Sequence, residues 1–141
     1  MNIKDIMTTN PVLIKPSTTI KEAAACMARE RIGFLLAGED DELKGTLTDR
    51  DIVLRAVAAG KDIESTTVED ILTDDLLYCK EGQDIEEVAR NMGEKQVRRL
   101  PVVNAQKKLV GVVSLGDLAK YLKPETAGKV LNDISMKFSG H

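Results

Sequence analysis

The 141-residue chain has few of the side chains that usually build a catalytic or metal centre. It contains one His, the last residue His141, no Trp, and only two Cys, Cys26 and Cys79, whose separation does not fit a metal-ligand spacing. We expect both Cys to be reduced, buried thiols. No Gly-rich phosphate loop and no cluster of metal ligands is present. These absences argue against an enzyme, because proton transfer and metal catalysis both need such groups.

Long apolar runs are also missing. None approaches the roughly 18 residues that a membrane span requires, and the N-terminus lacks the apolar core of a signal peptide. Lys and Arg number 20 against 23 Asp and Glu, a net charge of -3, so no overall positive field attracts nucleic acid or an anionic membrane. We therefore predict a cytoplasmic protein that binds neither nucleic acid nor a membrane.

What the sequence does contain is an internal repeat that spans most of its length. Two segments of the first half return in the second: Ile3-Lys4-Asp5-Ile6-Met7 as Val68-Glu69-Asp70-Ile71-Leu72, and Gly45-Thr46-Leu47-Thr48-Asp49-Arg50-Asp51 as Gly111-Val112-Val113-Ser114-Leu115-Gly116-Asp117. The offset is 65 residues from Asp5 to Asp70 and 66 from Asp51 to Asp117. A constant offset of this size indicates one duplicated unit, whose two members we call copy one and copy two.

Each copy predicts the same order of elements, β-α-β-β-α. Thr19 with Glu22 forms a capping-box pattern before a helix, and Asp84 with Glu87 occupies the matching places in copy two. Apolar residues then recur at helical spacing in both copies, at Ile20, Ala23, Ala24 and Met27 and at Ile85, Val88, Ala89 and Met92. An extended segment precedes each of these helices, at 12–14 and 76–78, and two strands follow each helix. A second helix is predicted at Asp51 to about Ala58 and at Asp117 to about Leu122.

The fold prediction follows from this duplication. One copy alone has too few apolar side chains for a core, whereas two copies related by a pseudo-twofold axis and packed through their sheets would share one. We predict an α+β sandwich with copy one at 1–62, copy two at 63–125 and a C-terminal tail at 126–141, in which a short helix forms near Val130 and residues 135–141 fray.

One repeated motif carries possible chemistry. Thr48 and Asp51 lie three residues apart where a strand turns into a helix, and Ser114 and Asp117 repeat this arrangement. A hydroxyl at this place is a common helix N-cap. The same geometry also suits a phosphoribosyl group, because a helix N-terminus favours a phosphate and a carboxylate accepts hydrogen bonds from ribose hydroxyls. Both interpretations stay open, and they are compatible.

The doubled β-α-β-β-α pattern, closed in each copy by Gly-x-x-Thr/Ser-x-x-Asp, resembles the tandem cystathionine-β-synthase (CBS) domain from about Ile3 to Leu122. Copy one is similar to stand-alone bacterial two-CBS proteins, including hypoxia- and stress-associated ones. The resemblance implies a regulatory, metabolite-sensing module without catalytic residues, metal or required cofactor, which acts through a partner protein. Candidate ligands are AMP, ADP, ATP and S-adenosylmethionine. The resemblance also implies a homodimer, a disc of four repeats.

The resemblance further implies which residues bind the ligand. Asp51 and Asp117 would hold ribose hydroxyls, and Thr48 and Ser114 would bind ribose or phosphate. The adenine would lie against segments 14–18 and 79–83 and the strands at 32–36 and 97–102, with these candidate residues: Ile14, Lys15, Thr18, Ile32, Gly33, Lys80, Leu100 and Pro101. Arg50, Arg98 and Arg99 are candidate phosphate ligands, since a guanidinium matches phosphate oxygens. The alternatives are plain surface charge for Arg50 and, for the Arg pair, one solvated and one ion-paired side chain.

Copy one departs from the family pattern. It has Leu35-Leu36-Ala37 where copy two has the Leu-Pro-Val of the family, at Leu100 to Val102. This departure favours the alternative of a structural or interaction protein that keeps the fold without a physiological nucleotide. Paired catalytic carboxylates at Asp51 and Asp117 are less favoured, because the two acids occupy equivalent places in two copies.

Overall fold

A computed structural model describes residues 1–136 and divides the chain into two compact units. The central unit is Val12–Leu76, and the terminal unit combines Met1–Pro11 with the chain from Leu77 onward. In chain order the elements are a 3₁₀ turn Ile3–Asp5, β1 Thr8–Thr9, β2 Leu13–Ile14, α1 Ile20–Glu30, β3 Phe34–Glu39, β4 Glu42–Thr48, α2 Asp49–Asp51 continuing as a π-helix Ile52–Val57, α3 Val68–Ile71, β5 Cys79–Lys80, α4 Ile85–Lys95, β6 Arg99–Val103, β7 Leu109–Ser114, α5 Leu115–Ala119 and α6 Pro124–Met136. The predicted mixed class with two related β-α-β-β-α repeats is confirmed.

The central unit is built on a three-stranded sheet of order β2-β3-β4. β2 runs parallel to β3 with Leu13 opposite Leu36, and β4 returns antiparallel with Thr48 opposite Phe34. Asp40 and Asp41 connect β3 to β4, and both have positive φ, at 51° and 62°. A two-residue hairpin loop favours this left-handed backbone, because its twist then matches that of the strands. The predicted turn is therefore shortened from five residues to two.

The terminal unit has a four-stranded sheet of order β1-β7-β6-β5. β5 is parallel to β6 with Cys79 opposite Val102, and β7 is antiparallel to β6 with Ser114 opposite Arg99. The β2/β3/β4 and β5/β6/β7 arrangements are thus the same, as the sequence repeat predicts.

The first segment of copy one belongs to the terminal unit, and the first segment of copy two belongs to the central unit. β1 pairs with β7, placing Thr8 opposite Val112. Thr73 in turn exchanges two backbone hydrogen bonds with Thr46 of β4, at 3.0 and 2.9 Å. The compact units therefore divide the chain differently from the sequence copies, and the boundaries 1–62, 63–125 and 126–141 stay a prediction about the repeat.

The two long helices bury the faces that their periodicity predicts. All four apolar positions of α4 are buried, and in α1 only Ala24 is partly exposed. The Thr19 hydroxyl caps α1 by accepting from the Glu22 N–H at 3.2 Å. Asp84 caps α4 by accepting from the Glu86 N–H at 3.0 Å, whereas the Glu87 carboxylate accepts from the Gln83 side chain, so the predicted Asp84–Glu87 capping box does not form.

Both cysteines are buried free thiols, as predicted. Burial raises the pKa of the Cys79 thiol to about 12. A thiol with so high a pKa stays protonated at neutral pH and is a poor nucleophile.

Two sets of element bounds differ from the prediction. The strand predicted at 76–78 lies at Cys79–Lys80, because those residues form the ladder with Val102 and Val103. The second helices begin at Asp49 and Leu115, two residues earlier than predicted, because the helical backbone starts directly after the capping hydroxyl. In copy one, moreover, most of this helix has π geometry.

The predicted tail contributes more than a short helix. α6 is 13 residues long, and its Val130 and Ile134 are buried in the core of the terminal unit. Glu86 of α4 holds its start by accepting from the Lys123 N–H at 3.0 Å. The Thr126 side chain beside it and the bond from the Lys123 N–H lower the pKa of the Glu86 carboxyl. Of the segment predicted to fray, Ser135 and Met136 are helical, and 137–141 lie outside the described residues.

Candidate functional site

The repeated motif forms the same capped turn in each unit. We call residues 48–51 the Thr48 turn and residues 114–117 the Ser114 turn. In each turn the hydroxyl accepts a hydrogen bond from the N–H of the Asp three residues later, at 3.1 Å in both units. The helix-cap interpretation of the motif is therefore correct, and it leaves open the second interpretation as a ligand site.

Each turn is also tied to the start of the strand that pairs with it. The Asp49 N–H donates to the Gly33 carbonyl at 3.0 Å, and the Leu115 N–H donates to the Arg98 carbonyl at 2.8 Å. The structure thus brings Gly33 to the Thr48 turn, and it brings Arg98 and Arg99 to the Ser114 turn.

The Asp51 carboxylate is engaged inside its own unit. One oxygen accepts from the Thr48 N–H at 2.9 Å, which completes a capping box. The other oxygen forms an ion pair with Nε of Arg55 at 3.8 Å. Arg55 is a residue that the sequence analysis missed, although the i,i+4 spacing of an acid and a base on a helix is a recognisable signal.

Arg55 is in turn held by the end of α3. Its Nη1 donates to the Ile71 carbonyl at 3.0 Å and to the Thr73 hydroxyl at 3.2 Å. The guanidinium therefore connects the Thr48 turn to the segment that pairs with β4.

The Asp117 carboxylate has no such partners. Its backbone N–H is bonded to Ser114, but within residues 1–136 its side chain makes no hydrogen bond and no ion pair. Its acceptor oxygens are therefore available to hydroxyl groups of a ligand, whereas those of Asp51 are partly used.

The two turns differ in formal charge. The Thr48 turn carries Asp49, Arg50 and Asp51, with Arg55 paired to Asp51 and neutral Gly33 and Phe34 at the adjoining strand start. The Ser114 turn carries Asp117 alone, with Arg98 and Arg99 at the strand start. Counting formal charges, the first set is 0 and the second +1.

Arg98 and Arg99 are both exposed, and neither side chain pairs with any residue that the structure describes. The prediction of one solvated and one paired Arg is therefore wrong, because no described acid reaches either guanidinium. Arg50 is likewise exposed, and its backbone N–H donates to Asp49 Oδ1 at 2.9 Å, whereas its side chain makes no hydrogen bond or ion pair with residues 1–136.

The segment predicted to line the adenine in copy one lies away from the Thr48 turn. Ile14 is opposite Ala37, three residues along β3 from Phe34, the partner of Thr48. At a rise of about 3.3 Å per residue, the separation along the strand is roughly 10 Å. Lys15 and Thr18 follow Ile14 and lie farther along the chain. Among the predicted adenine residues of copy one, only Ile32 and Gly33 adjoin the turn.

Copy two shows the same separation. Lys80 is opposite Val103, four residues from Arg99, the partner of Ser114. That distance is roughly 13 Å along the strand. Leu100 and Pro101 follow Arg99 directly and are buried, so they contribute backbone and core packing beside the Ser114 turn. The ligand roles of all these residues stay predictions.

Two surface depressions of the central unit lie elsewhere. One of about 430 Å³ is lined by Pro16, Ser17, Glu39, Lys44, Glu69, Leu72 and Asp74. The other, of about 370 Å³, is lined by Leu13, Lys15, Gly38, Glu39 and Asp40. Neither includes Thr48 or Asp51. Their acidic linings disfavour a phosphate.

Within residues 1–136, no three His, Cys, Asp or Glu side chains come together as metal ligands. Over the same residues, every helix is too short or too polar to cross a bilayer.

Comparison with known proteins identifies the family. The CBS domain model matches residues 3–57 and again residues 68–124, so the chain belongs to the CBS domain family. The CBS domain-containing protein YhcV of Bacillus subtilis is 41% identical over 135 residues, which cover 95% of each chain. The resemblance inferred from the repeated motif is therefore confirmed.

Solved structures of CBS proteins have the same fold. Hypoxic Response Protein I, crystallised with two coordinated zinc ions, matches with a TM-score of 0.79 and 37% identity over 86% of this chain and 99% of that one. CBSX2 in complex with AMP gives 0.73 and 27% over 84% and 93%. The CBS domain pair of MJ0100, in complex with 5-methylthioadenosine and S-adenosyl-L-methionine, gives 0.74 and 27% over 85% and 94%.

Proposed function

We propose that the protein is a regulatory CBS module that binds an adenine nucleotide and acts through a partner protein. The observation that carries this proposal is the capped turn present in both units, where the hydroxyl oxygen accepts from the Asp N–H at 3.1 Å and the Asp lies beside that hydroxyl. A carboxylate in this position suits the vicinal hydroxyls of a ribose. The complexes of CBSX2 with AMP and of MJ0100 with S-adenosylmethionine support an adenosine-containing ligand. AMP, ADP, ATP and S-adenosylmethionine are the candidates.

Regulation by such a ligand needs a difference in affinity between two forms of the protein, because a ligand shifts an equilibrium only by that difference. No set of side chains with a catalytic arrangement emerged from the sequence, so we propose that the output passes through another protein. A cytoplasmic location is part of the same proposal.

The direct test is isothermal titration calorimetry with each of the four candidates, together with thermal unfolding. We expect at least one of them to bind and to raise the melting temperature. A ligand at 100 times its dissociation constant stabilises the folded state by about 2.7 kcal/mol.

The matched control is the double variant Asp51→Asn/Asp117→Asn. It removes both carboxylate charges, keeps the side-chain size, and should abolish the binding. If no candidate binds the wild-type protein, the alternative of a structural CBS protein without a nucleotide replaces this proposal. If the double variant binds as well as wild type, the site assignment is wrong.

We also propose that the protein forms a homodimer through the exposed side of the π-helix. Val53, Leu54 and Val57 are 54%, 49% and 61% exposed, although Ile52 and Ala56 of the same helix are buried in the core. Three large apolar side chains side by side on one short helix are a feature of association surfaces.

Sedimentation velocity tests this dimer. We expect Leu54→Asp to convert the dimer to a monomer, because a carboxylate would be buried without a partner at the interface. Leu131→Asp is the control, since Leu131 is 53% exposed on α6 of the terminal unit. A monomeric wild-type protein, or a Leu54→Asp variant that stays dimeric, would refute this interface.

A further inference from the structure

The helix α6 is an addition to the repeated unit. With the repeat offset of 66 residues between Asp51 and Asp117, its first ten residues correspond to 58–67 of copy one. Residues 58–67 are all described, and they form turns and loop rather than a helix. The surface that α6 covers in copy two can therefore be compared with the same surface of copy one, where no such helix follows.

α6 packs on one face of α4. Its Val130 and Ile134 are buried in one core cluster with Ala89 and Met92 of α4. Gly93 allows a close approach of the two helices, because a Cβ added there would lie 3.5 Å from the Val130 Cα. In the terminal unit, a helix of the same chain thus covers this face of α4.

Polar contacts hold α6 near both of its ends. The Glu86 carboxylate accepts from the Lys123 N–H at 3.0 Å, at the start of α6. Gln96 Nε2 donates to the Asp133 carbonyl at 3.2 Å, in the last turns of α6. Glu86 and Gln96 flank the buried contact at Ile134, so the docking of α6 depends on two polar anchors and on apolar packing.

The matching positions of α1 lack these anchors. Lys21 stands where α4 has Glu86, and Arg31 stands where Gln96 follows α4. A Lys side chain has no acceptor for a backbone N–H. The polar anchors of α6 are therefore specific to copy two.

The apolar part of the face is open in the central unit. Ala24 is half-buried and Ala28 is exposed, at the positions where Ala89 and Gly93 are buried. α1 also lies against the π-helix, whose three exposed apolar side chains form the proposed dimer surface. The dimer surface and the open side of α1 thus belong to the same two adjoining helices.

The counterpart of the π-helix in copy two is not apolar. At the positions of Leu54 and Val57, the chain has Lys120 and Lys123. In the terminal unit, the apolar part of this helical face is therefore on α4, and α6 covers it.

We propose that α6, held by Glu86, Gln96 and Ile134, closes in the terminal unit the helical face through which the central unit associates, so that two chains meet through their central units alone. The occupant that α6 excludes is the same face of a second copy. A chain with one open face on each unit could join two neighbours and grow beyond a dimer. The inference rests on the proposed dimer and adds which surface is kept from associating.

The releasing variant combines Glu86→Lys, Gln96→Arg and Ile134→Ala. The first two changes introduce the residues of copy one, and the third removes one of the two buried apolar contacts of α6. Gln96→Arg suits the backbone, because Arg31 has the same left-handed conformation as Gln96, with φ of 56° and 57°.

A reversible disulfide between α4 and α6 provides the matched control within the same chain. A Cβ added at Gly93 would lie 3.5 Å from the Asp133 Cβ, within the range found in disulfides. Adding Gly93→Cys and Asp133→Cys to the releasing variant should therefore keep α6 docked when oxidised and free it when reduced. Both native cysteines are buried, so they do not compete for the bond.

Sedimentation velocity measures the assembly, and hydrogen exchange of the α6 amides measures the docking. The oxidised protein should be a dimer, and reduction should give larger assemblies together with faster exchange in α6. The two Cys changes without the releasing changes should stay dimeric in both states. Faster exchange without larger assemblies, or a wild-type protein already larger than a dimer, would overturn the inference. Unchanged exchange after reduction would show that the three residues do not hold α6, which also overturns it.

Adding Leu54→Asp separates this inference from the proposed dimer. The oxidised protein should then be a monomer, and reduction should produce dimers through the uncovered α4 faces. If the wild-type protein is itself monomeric, the proposed dimer fails, whereas an association that appears only on reduction still supports the role of α6. A protein that stays monomeric on reduction, although α6 exchanges faster, refutes that role.

Discussion

Replacing Gly45 or Gly111 by Ala should destabilise the protein by about 2–4 kcal/mol, because each added methyl group would collide with a backbone. A Cβ at Gly45 would lie 2.6 Å from the Thr73 carbonyl oxygen, and one at Gly111 would lie 2.8 Å from that of Thr8. To avoid this collision, the segment around Thr73 or Thr8 would have to move away from its sheet. In the Gly45 variant this would break the two hydrogen bonds between Thr46 and Thr73.

Urea unfolding followed by circular dichroism measures this loss. Gly128→Ala is the matched control, since Gly128 lies inside α6 with nothing within 4 Å of an added Cβ. That change should stabilise the protein by up to about 1 kcal/mol, because Ala is the better helix former. Unchanged stability in both the Gly45 and the Gly111 variants would show that the segments around Thr73 and Thr8 do not pack tightly on β4 and β7.

Ile134→Ala should lower the free energy of unfolding by about 2–4 kcal/mol, the usual cost of truncating a fully buried aliphatic side chain. Ile134 is 1% exposed and belongs to the core that includes Met92 and Leu118 of the terminal unit. Close helix contact increases the cost, because Gly93 of α4 approaches Val130 and Asp133 of α6.

Leu131→Ala is the control for that experiment. Leu131 precedes Ile134 by one helical turn but is 53% exposed, so its truncation should change stability by no more than about 0.5 kcal/mol. Thermal unfolding monitored at several wavelengths is a suitable measurement. If the two variants unfold alike, α6 is not an integral part of the core.

Local signals in the sequence predicted much of the fold correctly. The buried faces of α1 and α4 follow from a 3.6-residue periodicity, and the caps at Thr48 and Ser114 follow from a hydroxyl three residues before an Asp. Both signals depend only on neighbouring residues, so they are independent of how the sheets assemble. The repeat and its closing motif likewise indicate the CBS domain family, which the family model confirms.

The adenine segments were less predictable because their places depend on strand register. The sequence predicts an extended segment before each long helix, but not which residues of β3 and β6 it faces. The pairing of Ile14 with Ala37 and of Lys80 with Val103 places these two residues roughly 10 Å or more along the strands from the capped turns.

The duplication, the helix periodicity and the capped turn can be predicted from the sequence alone, because each depends on residues close together in the chain or on direct self-similarity. The pairing of Thr8 with β7, the hydrogen bonds of Thr73 to β4 and the ion pair between Asp51 and Arg55 form only on folding. Arg55 is positioned by oxygens 16 and 18 residues away, at Ile71 and Thr73. Two copies with one motif thus acquire unequal carboxylates through contacts that no local pattern encodes.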